Sequence, residues 1–223
     1  MTTDEVVSTL IRNLKPVSPL PAPGVRMWAW GAIVAVAGSL VAVILGLRPD
    51  LAHAAATLNF QAHTVFLVSA TALAGDAALV LAIPGEQLSR ARQLAPIAAA
   101  GCWVTWLLME LAAAASRSPA AWSIDFGWGC VAKAVTIAAL PAAALLLMVG
   151  RGAPVEVRHA VTFAALAAAG VGALGVEFTC PKTDVMHLLI WHAGPMVALP
   201  VVAAVAGTPL FLLWMRRHEA ARP

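Results

Sequence analysis

Charge is what this sequence has least of. Only 11% of its 223 residues are Asp, Glu, Lys or Arg and 61% are hydrophobic, whereas a soluble domain is about 25% charged. With a mean hydropathy of +0.85, an ordinary water-soluble globule is excluded and the composition is that of an integral membrane protein. No basic cluster accompanies the net charge of +3, so direct nucleic-acid binding is not expected. The 3 cysteines include no CxxC pair and no zinc-finger spacing, which argues against a disulfide scaffold and a structural zinc site.

What is present instead is a series of long apolar runs, at 27–47, 61–83, 94–113, 129–149, 160–177 and 185–214. Each is close to the roughly 20 residues that a helix needs to cross about 30 Å of hydrocarbon. The expected fold is therefore all-α, a polytopic bundle of six transmembrane helices. Segment 1–26 would be a soluble leader, 27–214 the membrane domain and 215–223 a tail. Placing the N-terminus inside puts Arg12, Lys15, Arg26, Arg90, Arg92, Arg151, Arg158, Arg216, Arg217 and Arg222 on the cytoplasmic side, and only Arg48, Arg117 and Lys182 opposite. That bias predicts that both termini are cytoplasmic. Trp28, Trp30 and Trp214 would then form one aromatic belt, with Trp122 and Trp128 in the other. Gly170, Gly172 and Gly175, with the alanine runs, are expected to provide close helix packing.

The leader is the part offered to a cytoplasmic partner. Thr2 and Glu5 have capping-box spacing, and Val6, Val7, Leu10, Ile11 and Leu14 recur at helical intervals until Pro16. A proline-dense stretch, Pro16 to Pro23, would hold this short helix away from the bilayer as a stiff spacer. Asp4 and Glu5 balance Arg12 and Lys15, and no aromatic residue is present, which favours docking on a protein over lying on lipid.

At the opposite face, Cys130 opens the fourth span and Cys180 closes the fifth, so the two can meet if their helices approach closely. Packed axes lie about 8–10 Å apart and a disulfide needs Cα atoms within about 4.4–6.8 Å. Gly127 and Gly129 are the small residues expected to allow it. Lys133, one turn beyond Cys130, would favour a thiolate, with Glu110 as its natural counter-ion. Cys102 reads as a small buried hydrophobe. His53, His63, His187 and His192 join Glu177 and Asp184 in the outer half. Cys130, Cys180, His187 and His192 form a possible soft-metal set, although His187 and His192 are five apart and not on one face of a regular helix. Asp76, deeper in the second span and without an evident partner, is a functional candidate by default.

The leader Leu10 to Leu20, the six spans, Cys130, and the stretch Gly172-Ala173-Leu174-Gly175-Val176-Glu177-Phe178-Thr179-Cys180-Pro181 followed by His187 and Trp191 resemble the NrsF-type membrane anti-sigma factors of proteobacteria. The resemblance implies a non-enzymatic regulator of the bacterial cytoplasmic (inner) membrane. Its partner would be an extracytoplasmic-function (ECF) sigma factor, held by the region of Val6, Val7, Leu10, Ile11, Leu14, Pro16, Val17 and Leu20. It also implies that Cys130 and Cys180 respond to oxidative or heavy-metal stress, with no required cofactor and a heavy-metal ion as a possible inducer. Disulfide formation, metal ligation and thiol modification remain open as the chemical event. Two rival classes are a small membrane haem protein, with His63 and either His187 or His192 as axial ligands, and a metal-handling transporter using Asp76, Glu110 and the histidines.

Overall fold

A computed structural model describes residues 2–12 and 19–220. Among them the chain is all-helical, and six helices are long and apolar enough to cross a membrane. The leader forms α1 (Thr3–Arg12). Its capping box is closed from both sides, the Thr2 N–H donating to Glu5 Oε2 at 2.7 Å and the Glu5 N–H to Thr2 Oγ1 at 3.4 Å. Asp4 and Glu5 in the first turn and Arg12 in the last suit the helix dipole. Val7 and Ile11 are exposed, as is Leu20 beyond the helix. Leu14, Pro16 and Val17 lie outside the described residues.

The first span, α2 (Pro23–Leu45), begins four residues before its apolar run because Pro23, with no N–H to leave unpaired, suits a first helical turn. Gly46, at φ +77°, ends it. A short α3 (Leu51–Ala55) leads into α4 (Leu58–Leu81), followed by α5 (Arg90–Ala115), a 3-10 turn at Pro119–Trp122, α6 (Trp128–Arg151) and α7 (Val157–Thr179). Thr57 and Ser89 cap α4 and α5, their hydroxyl oxygens accepting from the N–H groups of Phe60 and Arg92. The sixth span is one continuous coil of α8 (Val185–His187), a π-helical turn at Leu188–Ala193, α9 (Gly194–Val202), a second π turn at Ala203–Gly207 and α10 (Thr208–Ala220). It runs past the expected limit at 214. Two ends result: a leader end, where α2, α5 and α7 begin, and a cysteine end, where α4, α6 and α8 begin.

Helices α4 and α7 form the centre, with 56% and 67% of their apolar windows buried against at most 17% in the other spans. The contacts of α7 with α4 and with α6 depend on missing side chains. A methyl group at Gly170 would strike the Thr71 hydroxyl of α4, one at Gly172 would lie 2.9 Å from the Ala134 carbonyl oxygen of α6, and one at Gly175 would lie 2.5 Å from Ile137 of α6. The packing role expected of these glycines is the one they have. The peripheral spans turn Val36, Val43, Leu108, Leu140, Leu147 and Val205 outward, as lipid-facing surfaces require.

Several expectations fail here for identifiable reasons. Trp30 is not a belt residue: it is buried, its indole N–H donates to the Pro141 carbonyl at 3.0 Å, and its ring occupies the space left by Gly75. Cys102 is exposed on α5, because the inward stripe of that helix runs through Trp103, Leu107 and Leu111. Arg26 is not a loop cation. It is buried in α2, and its guanidinium donates to the carbonyls of Leu79 and Met148, near the C-terminal ends of α4 and α6, where free carbonyls favour a cation. Asp76 has a partner: Arg92 Nη2 lies 2.6 Å from its carboxylate, in a half-exposed ion pair. The pair joins α4 to α5, so the lack of a partner that made Asp76 a candidate does not hold.

Candidate functional site

The cysteine end is assembled by three local features. Gly127 ends the loop before α6, and Cys130 lies in the first turn of that helix. Cys180 ends α7 with its own N–H still bonded to Val176 O at 2.8 Å, and Pro181, which has no N–H to donate, stops the helix. The third feature is the π turn. The Gly194 N–H bonds to Leu189 O, five residues back, and Pro195 has no N–H for the Trp191 carbonyl, so the helix widens there. The second π turn likewise precedes a proline, Pro209. Widening brings a five-residue spacing onto one face, and the His187 and His192 rings stand edge to face with centroids 5.5 Å apart.

Four side chains meet as a result. The Cys130 and Cys180 sulfurs are 3.3 Å apart, and His187 Nε2 is 3.3 Å from Cys130 Sγ and 3.9 Å from Cys180 Sγ. One ligand atom from each of Cys130, Cys180, His187 and His192 falls within a 4.8 Å group. Both thiols are free. Cys180, His187 and His192 are buried, yet His187 Nδ1 and both ring nitrogens of His192 have no hydrogen-bond partner. Gly129 is not what permits this approach, since its Cα faces open space. The close seating of α6 on α7 comes from Gly172 and Gly175, and Gly127 instead makes room for the Trp191 ring.

A rim closes over the group. The Trp191 indole N–H donates to the Asp125 carbonyl at 2.8 Å, and its ring packs against Phe126 and Trp128. Lys182 Nζ lies 2.7 Å from the Asp125 carboxylate. That hydrogen bond holds the Asp125 carboxyl below its ordinary range and raises the Lys182 ammonium above its own.

Beside the thiols lies a second, ionic group. His63 is buried between Glu110, 3.2 Å from Nε2, and Glu177, 3.5 Å from Nδ1. Glu110 therefore pairs with His63 and not with Lys133, whose ammonium donates to the Thr179 carbonyl at 3.3 Å. Lys133 tethers α6 to the end of α7, and Glu177 faces His63. With both its nitrogens facing carboxylates, His63 is not placed as a haem ligand. These groups line a cavity of about 740 Å³ that also takes in Arg48, Asp50 and His53. Arg48 is bound to Asp50 by two hydrogen bonds of 2.8 and 2.9 Å, which raise its already high pKa.

The structure thus brings together Cys130, Cys180, His187 and His192, sets Glu110 and Glu177 in the adjacent group, and leaves Asp76 at the leader end. His63 as the shared partner of Glu110 and Glu177 was not read from the sequence. Its signal was only that all three fall in the same half of the spans. The family model NrsF, negative regulator of sigma F, matches residues 10–214, nearly the whole chain. No curated protein and no solved structure matches it.

Proposed function

The chain belongs to the NrsF family of negative regulators of sigma F, and from that premise we propose that it holds an ECF sigma factor at the cytoplasmic face and releases it when Cys130 and Cys180 react. In this reading both termini are cytoplasmic, the protein spans the bacterial inner membrane, and the leader from Val6 to Leu20 is the sigma-binding segment. The observation that carries it is the 3.3 Å contact between two free thiols at the end of the bundle away from the leader. An oxidant that takes up two electrons joins those thiols as a disulfide and draws the first turn of α6 against the end of α7, whereas a tetrahedral metal ion would hold the two sulfurs about 3.8 Å apart.

Helix α6 offers the route between the ends. Its last turns are tied to α2 by Arg26 on the Met148 carbonyl, and its middle by Trp30 on the Pro141 carbonyl. Arg26 follows the linker by only a few residues, so a shift of α6 acts on the segment from which the leader emerges. Release requires that the sigma factor bind the two packings unequally, and a tenfold loss of affinity corresponds to about 1.4 kcal/mol.

Co-purification of the detergent-solubilised protein with ECF sigma factors tests the reading, comparing the full chain with one lacking residues 1–20. Retention by the full chain alone is expected, with release on treatment by oxidant or cadmium. Cys130→Ser and Cys180→Ser should hold the sigma factor through the same treatment. Full release from both variants would sink the thiol step, and equal retention by the truncated chain would sink the role of the leader.

A further inference from the structure

We propose that Cys130, Cys180, His187 and His192 form a four-ligand site for one thiophilic divalent d10 ion, zinc or cadmium. The sensor reading above supplies the purpose of such a site, while its existence rests on side-chain geometry alone.

A tetrahedral ion with metal–sulfur distances of about 2.3 Å and metal–nitrogen distances of about 2.0 Å keeps two sulfurs about 3.8 Å apart, a sulfur and a nitrogen about 3.5 Å and two nitrogens about 3.3 Å. Three of the separations here are 3.3, 3.3 and 3.9 Å, and all four ligand atoms fall within 4.8 Å of one another. Seating the ion needs the two sulfurs to part by about 0.5 Å and the rings to move by a similar amount. The donor set is two sulfurs and two imidazoles, which suits zinc-like ions and disfavours magnesium and calcium, whose ligands are oxygens. Charge also balances. Binding displaces one proton from each thiol to solvent, and two thiolates cancel the double charge of the ion, so no net charge is left among the apolar helices.

The histidines separate this proposal from a simple dithiol. Both are buried, and three of their four ring nitrogens lack a partner in the protein, a condition native structures rarely leave without a use. The π turn is the device that sets them together, since a regular helix would carry residues 187 and 192 to different faces. The ionic group of His63, Glu110 and Glu177 lies alongside, and its carboxylates face His63, leaving the two sulfurs and the two orphaned rings to take the ion.

The test uses the full-length chain in detergent, reduced and metal-free, with cadmium chloride and then cobalt chloride as probes. Cadmium should bind one per chain with an ultraviolet thiolate charge-transfer band, and cobalt should give the visible spectrum of a tetrahedral site with two sulfurs and two nitrogens. His187→Asn and His192→Gln should each weaken cadmium binding by about tenfold or more, the scale on which even outer contacts of metal ligands are felt. Oxidant-driven cross-linking of Cys130 to Cys180 in the same variants verifies that the thiols still meet. Cadmium binding undiminished in both variants, an octahedral cobalt spectrum, or no uptake by the parent chain would each overturn the site. None of these readouts involves a sigma factor, so a failed co-purification with intact metal binding would count against the anti-sigma reading alone.

Discussion

The two ends of the bundle differ in how completely their titratable groups are paired, since the cysteine end has paired ions, His63 with Glu110 and Glu177 and Arg48 with Asp50, and unpaired groups beside them. At the leader end, the buried Arg26 guanidinium is spent on two helix-terminal carbonyls, and Asp76 is paired with Arg92. At the cysteine end, His187 and His192 carry three unpartnered nitrogens and Glu110 one unpartnered oxygen, and these are the titratable side chains with orphaned buried atoms among the described residues. A satisfied buried ion fastens helices, whereas an unsatisfied donor set costs stability unless a water or an ion supplies the missing partner. In the proposed reading the leader end is the anchor and the cysteine end is the part that changes.

Breaking the anchor should have the largest effect. Arg26→Met removes the charged donor that ties α2 to the ends of α4 and α6. A loss of about 1.5–3 kcal/mol is expected, the usual scale for hydrogen bonds to a charged group. Thermal unfolding in detergent measures it, and an unchanged midpoint would show that the two carbonyls need no cation. Next in size is the seam between the ends. Gly172→Ala places a methyl 2.9 Å from the backbone oxygen of Ala134, which cannot rotate away. Overpacking of this kind costs about 1–3 kcal/mol, and separating α6 from α7 should also slow Cys130–Cys180 cross-linking, which gel mobility after mild oxidation reports.

The opposite sign is expected from His192→Leu. The replacement removes two orphaned nitrogens from a buried position, so the metal-free protein should gain stability, by about 1–2 kcal/mol if the burial penalty is recovered. Metal binding should fall at the same time. Parallel unfolding curves with and without cadmium check both halves, since a ligand that binds only the folded state stabilises it. If the variant is markedly less stable than the parent without metal, His192 is a structural residue and the contrast between the ends fails.

Hydropathy made the six spans legible because each run is nearly as long as the helix that carries it, and the residue pair Thr2 and Glu5 announced its cap directly. Pairings across helices were not legible. Asp76 and Arg92 lie on consecutive helices joined by a short turn, yet helical phase decides whether they meet, and phase is not visible in hydropathy. Glu110 had two candidate cations at similar depth, Lys133 and His63, and only the packing of α5 on α4 selects His63. The site itself was half legible. The cysteines fell at matching ends of neighbouring spans, but the spacing of His187 and His192 argued against a shared face. Pro195 was the clue that reverses that argument, since a proline soon after a five-residue pair removes the hydrogen bond that would have kept the helix regular.

The smallest effect should come from the rim. Asp125 and Lys182 are solvent-exposed, so their bridge is screened and contributes little, but its pH dependence has a definite sign. Asp125 titrates below its ordinary carboxyl range when folded, so its contribution is present above that range and is lost as pH falls through the folded value. Lys182 titrates above its ordinary range, so its contribution is present below that range and is lost as pH rises through the folded value. The bridge is therefore complete at neutral pH. Asp125→Asn should lower the unfolding midpoint slightly there, and the difference from the parent chain should vanish in acid. The Asp125 carbonyl, which holds the Trp191 indole, is untouched by that change, so cadmium binding should be unaltered. A large loss of binding would mean that the bridge shapes the metal group, and would extend the changeable part of the molecule outward to the rim.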